Sequence, residues 1–98
     1  MSNAHNLDRM LRAIADPTRR RIMNALKQKG ACSIGKDVGM CACDIEERVR
    51  LTQPTISHHM SVLKRAGLVE AKKEGQWMWY RRNETAVREL AKNLRESL

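Results

Sequence analysis

A mainly α-helical fold closed by one β-hairpin is what this 98-residue sequence predicts, on three observations. Apolar residues recur at spacings of three and four in five separate stretches, the mark of amphipathic helices. Two β-prone segments bracket Glu74-Gly75 toward the C-terminal end. Nineteen Lys and Arg against eleven Asp and Glu leave a net charge of +8, which favours a polyanionic partner, with nucleic acid the first candidate. Residues 1–98 are read as one domain with one modest core, small enough that pairing with a second copy would help it bury surface.

Leu7, Met10, Leu11 and Ile14 form one face of a first helix. Asp16-Pro17 restarts the chain: Asp16 suits an N-cap, and Pro17 suits the first helical position, where its missing N–H costs nothing. The second helix turns Ile22, Met23 and Leu26 inward, sets Arg19, Arg20 and Arg21 beside them, and stops at Gly30. Residues 30–43, GACSIGKDVGMCAC, hold three of the five glycines and no helical period, which predicts a loop containing Cys32, Cys41 and Cys43. Asp44 followed by Glu47 resembles a capping box opening a short third helix, with Ile45 and Val49 inward and an end near Arg50. Thr52 is the expected N-cap of a fourth helix that carries Ile56, Met60 and Leu63 and ends at Gly67. LVEAKK and QWMWYRR then make the hairpin. Val87, Leu90, Ala91, Leu94 and Leu98 line one side of a last helix, and the segment 84–98 balances three basic residues against three acidic ones, as suits a protein surface.

A short helix, a brief turn, a longer helix and a two-stranded wing make a winged helix-turn-helix of about five helices. The recognition region would span about 44–66, the wing about 68–82, and the pairing helices of a homodimer about 5–15 and 84–98. Gln53, Thr55, Ser57, His58 and His59 open the longer helix with short or planar hydrogen-bonding groups able to reach base edges and phosphates. Lys64 on the same helix, and Lys72, Lys73 and Gln76 on the wing, complete the expected contact set for double-stranded DNA. A solvated polar helix face is the bland alternative, and the order of elements together with the charge outweighs it. The adjacent His58 and His59 point about 100° apart and are poorly placed to chelate one ion.

Other classes fit less well. No apolar run approaches the ~20 residues of a membrane span, and the N-terminus lacks the apolar core of a secretion signal, so the expected setting is cytoplasmic, without a membrane partner. No Cys-x-x-Cys, glycine-rich phosphate loop or βαβ pattern supports an enzyme. Three cysteines in a reducing compartment indicate metal binding or reactive thiols rather than structural disulfides. A cysteine near a helix N-terminus is expected to have a lowered pKa, favouring the thiolate that binds soft ions.

DPTRRRIMNAL and the run CACDIEERVRLTQPTISHHMSVLKRAGLVEAKKEGQWMWYRRN resemble the ArsR/SmtB family of metal- and metalloid-responsive repressors over most of residues 7–98, with TQPTISHHMSVLKRAGLV the most specific part. The resemblance implies a winged-helix homodimer, paired through its first and last helices, that needs no cofactor to hold a palindromic operator and leaves it when an inducer binds. CACD is similar to the family's Cys-Val-Cys-Asp motif, which implies As(III) or Sb(III) as inducer, held by Cys41 and Cys43. The family motif has a third cysteine where this chain has Glu46, and Cys32, in its glycine-bearing loop, is the candidate replacement. The family's zinc and nickel site needs His on the last helix, which NETAVRELAKNLRESL lacks, and its cadmium and lead sites use additional N-terminal cysteines, absent here. A redox-sensing repressor built on Cys41 and Cys43, and a DNA-binding protein without ligand, are the alternatives.

Overall fold

A computed structural model of the protein describes residues 3–27 and 40–98. The chain runs α1 (Asn3–Ala15), α2 (Pro17–Leu26), β1 (Met40–Cys41), α3 (Ala42–Val49), α4 (Gln53–Arg65), β2 (Val69–Glu74), β3 (Trp77–Arg82) and α5 (Glu84–Ser97). None of the described helices is long and apolar enough to cross a membrane. Five helices and the hairpin are therefore present in the predicted order.

The helix ends follow from local chemistry. The Asp16 carboxylate accepts the backbone N–H groups of Thr18 and Arg19 and caps α2 as expected, with Pro17 behind it. The Arg19 N–H holds that carboxyl below its ordinary pKa, against a partial loss of solvation. Helix α2 stops at Leu26 with Lys27 as its cap, and Gly30, the expected stop, lies outside the described residues. Gly67, at φ +79, ends α4 in the left-handed conformation that a missing Cβ permits. Arg50 takes φ 57 and ψ 49, a conformation usually left to glycine, and its N–H donates to the Glu46 carbonyl at 2.8 Å, closing α3 and setting the turn into α4.

Two boundaries depart from expectation. Residues 40–43 are not loop: Met40 and Cys41 pair with Tyr80 and Trp79, so the sheet has three antiparallel strands in the order β1-β3-β2 rather than two. Helix α3 then begins at Ala42, with Cys41 at the N-cap position and no side-chain cap bond. Asp44 is consequently no N-cap and opens no capping box; it sits within the first turn, only 9% exposed. Thr52 occupies the N-cap of α4 without capping it, its hydroxyl lying 3.0 Å from that of Thr55.

One core joins the helices to the inner face of the sheet: Ile22, Met40, Ile45, Ile56, Met60, Leu63 and Leu68 are its largest fully buried side chains. Arg19, Arg20 and Arg21, set beside the apolar stripe of α2, spend donors on helix C-termini. Arg19 donates to the Ala13 and Arg12 carbonyls, Arg20 to Ile14, and Arg21 to Val49. Cations there complement the exposed carbonyl ends of α1 and α3.

Asn83 ties α5 to the end of α4. Its Oδ1 accepts the Ala86 N–H at 3.1 Å as the N-cap of α5, and its Nδ2 donates to the Gly67 carbonyl at 3.2 Å. Asn83→Ala is expected to cost about 1–2 kcal/mol, a cap plus a partly exposed hydrogen bond. A thermal melt should show a drop of roughly 4–8 °C for each kcal/mol.

Candidate thiol site and nucleic-acid interface

The strand-to-helix junction at residues 40–44 gathers the chemistry. Cys41 ends β1 and is 3% exposed; Cys43, two residues on, opens toward solvent from the first turn of α3. Their sulfurs stand 2.7 Å apart, and the Cys41 Sγ–H donates to Asp44 Oδ2 at 3.2 Å. The two sulfurs and an Asp44 oxygen all lie within 4.8 Å of one another, close enough to address one ion. Asp44 is the member that the sequence reading assigned to capping instead. Cys32 lies outside the described residues.

The electrostatics reverse one expectation. Burial, then the Cys43 sulfur and the Asp44 carboxylate beside it, push the Cys41 thiol up to about 12, although its place at a helix N-terminus works the other way. Cys41 is a thiol near neutral pH, not the predicted thiolate. It also faces the wing: Cys41 and Trp79 are direct cross-strand partners, each 3% exposed, and they pack as a small buried cluster of their own.

The candidate DNA-reading residues occupy the first two turns of α4. Gln53, Thr55, Ser57 and His58 are exposed, as is Lys64 near the other end, while Ile56, Met60 and Leu63 hold the opposite side in the core. His59 is placed differently. It is half-buried, with Nδ1 3.2 Å from an Arg19 Nη1. A guanidinium only donates, so Nδ1 accepts and the ring proton belongs on Nε2. Burial lowers the His59 pKa, Arg19 and His58 lower it further, and Asp16 opposes them. On the wing, Lys72, Lys73 and Gln76 are all exposed around the turn that Gly75 makes at φ +61. Lys72 is 3.4 Å from Glu74, and Arg81 3.3 Å from Glu70, so part of the wing's positive charge is offset locally.

Residues 16–71 match the model of the bacterial regulatory protein arsR family. An uncharacterized HTH-type transcriptional regulator of Methanocaldococcus jannaschii is 40% identical over 83 residues, 85% of this chain and 84% of that protein. An arsenical resistance operon repressor of Staphylococcus aureus is 34% identical over 88 residues, 90% of this chain and 76% of that protein. Among solved structures, a homodimeric winged helix-turn-helix DNA-binding domain from Mycobacterium bovis superimposes with a TM-score of 0.72 at 25% identity, over 96% of this chain and 80% of that one.

Proposed function

The chain belongs to the arsR family of bacterial regulatory proteins, and from that premise we propose that it is a homodimeric repressor whose operator affinity falls when Cys41 and Cys43 capture trivalent arsenic or antimony. The observation that carries this reading is the meeting of two sulfurs and a carboxylate at the first turn of α3. Cys32 is proposed as a third sulfur. The recognition region about 44–66, the wing about 68–82 and pairing through helices about 5–15 and 84–98 belong to the same proposal, supported by the homodimeric neighbour from M. bovis.

Capture would work on geometry. Holding both sulfurs on one ion would fix Cys41 and Cys43 relative to each other and so constrain the N-terminus of α3 against β3. Helix α3 packs on α4 and β1 on the wing strand, so one constraint reaches both DNA-contacting elements. Titrating arsenite onto the operator-bound protein tests the reading: release should accompany sulfur charge-transfer absorbance and a change in Trp79 fluorescence, read in a Trp77→Phe background. Release without either spectral change would remove the thiols from the mechanism.

The short sulfur-to-sulfur distance also suits a redox-sensing repressor. The raised Cys41 pKa argues against that second reading, because the thiolate is the form that attacks peroxide. Release by peroxide at concentrations that leave arsenite ineffective would favour it.

A high thiol pKa also selects among inducers. Arsenous acid brings its own hydroxide: each As–OH and S–H become As–S and H₂O, with no net proton change. A divalent cation must drive the Cys41 proton into solvent. Between pH 6 and 8, arsenite affinity is expected to stay nearly flat, while cadmium affinity should climb about tenfold per pH unit for each proton displaced, since Cys41 stays protonated up to about 12. Calorimetry in buffers of different ionisation enthalpy counts those protons directly.

For DNA reading, Gln53→Ala or Ser57→Ala is expected to relax base preference by about 1–3 kcal/mol. Lys73→Gln should weaken all sequences alike and lower the salt dependence. Selection from a randomised duplex, followed by binding at several salt concentrations, separates the two behaviours.

A further inference from the structure

Four arginines line one shallow basin of about 260 Å³: Arg9 and Arg12 of α1, Arg19 of α2 and Arg65 of α4, together with Ala13 and Val62. Four arginines lining one basin make its local potential positive, which a bound anion would offset. Arg19 is pinned by its bonds to two α1 carbonyls and by Asp16 at 3.8 Å. Among the described residues, Arg9, Arg12 and Arg65 form no ion pair. By helical spacing, Arg9 and Arg12 sit across α1 from Leu7, Leu11 and Ile14, the stripe packed on the core. The cations therefore remain available for a ligand.

We propose that this basin is a phosphate-binding subsite that grips the DNA backbone at the edge of the groove that α4 reads. The inference rests on the assignment of α4 as the reading helix and extends the contact surface to α1. Ser57, Ser61 and Arg65 recur every four residues as one exposed stripe, leading from the reading end of α4 to the basin. Eight residues of helix span about 12 Å, and the major groove is about 12 Å wide. A helix entering the groove by its N-terminus thus brings Arg65 and the basin to the phosphate wall. Guanidinium forks match phosphate oxygens two at a time, which suits arginine to this position.

The test is the salt dependence of duplex binding by the full chain and by the double variant Arg9→Gln/Arg12→Gln, between 50 and 200 mM salt. Each phosphate neutralised contributes about 0.9 to the slope of log affinity against log salt. Losing two contacts should reduce the slope by about 1.8, so that over this fourfold salt range the variant loses roughly twelvefold less affinity than the parent. Base preference and thermal melting should not change. An unchanged slope overturns the proposal, and so does an unchanged slope accompanied by pyrophosphate binding that the variant loses, which would make the basin a site for free anions. A parent chain that binds no duplex at all would sink the repressor reading itself, an outcome distinct from either.

Discussion

Cys41→Ser and Cys43→Ser variants are expected to hold operator DNA as the parent chain does and to ignore arsenite. Nothing in the fold depends on the sulfur as such: Cys41 contributes its backbone to the β1–β3 pairing and a small buried side chain beside Trp79, and serine keeps the volume close. The two sulfurs are the soft donors at the junction, and the Asp44 carboxylate alone is a hard one. Each single variant should therefore lose the whole allosteric response, which for coupling of ordinary strength is about 1–3 kcal/mol, or roughly 5- to 150-fold in DNA affinity. Operator binding measured with and without arsenite reads this directly. Cys32→Ser is graded: a third sulfur lost lowers inducer affinity, and a spectator lost changes nothing. Release that persists in the Cys41/Cys43 double variant would defeat the metalloid reading and leave a family repressor with another signal.

The second large effect concerns pairing. Leu94→Glu is expected to give a folded monomer that loses tight operator binding, because half-sites about 34 Å apart need two linked reading helices. Losing the link should cost about 100-fold or more in apparent affinity. Leu90 is the wrong position for the same experiment. Although it lies on the same stripe of α5, it is only 7% exposed within one protomer, where it belongs to the core with Ile22 and Leu68. A charge there should unfold the chain before pairing is tested. Sedimentation together with a thermal melt distinguishes the cases: Leu94→Glu that still sediments as a dimer would place the interface elsewhere.

What the sequence made legible was whatever neighbouring residues decide among themselves. Asp16-Pro17, the spacing of Ile56, Met60 and Leu63, and Gly67 each fix an element within one or two turns, and the fold follows them. The junction at residues 40–44 could not be read that way. Met40 and Cys41 are a strand only because Tyr80 and Trp79, far along the chain, pair with them, and a two-residue strand has no period of its own. The misplaced Asp44 follows from the same cause, since the pairing starts α3 three residues early and carries the carboxylate into the first turn. The thiol's acidity was misjudged for a related reason. A helix N-terminus is visible in a sequence, whereas burial against Trp79 is a property of the folded sheet, and burial outweighs it. The role of part of the basic charge was equally opaque: Arg20 and Arg21 stand in the sequence as cations without an assigned task until their carbonyl partners on α1 and α3 are known.

The described members of the thiol cluster, Cys41, Cys43 and Asp44, fall within four consecutive residues at one bend of the backbone. Most ligand sites are assembled from distant segments, so that altering them disturbs the scaffold that brings those segments together. The proposed site is written locally, ahead of the helix proposed to read DNA and apart from its candidate contact residues. Address and message are thus editable separately. Exchanging the residues at 41, 43 and 44 for another donor set should retune which chemical silences the repressor while the genes it governs stay the same, a modularity by which one scaffold could be adapted to many toxic ions.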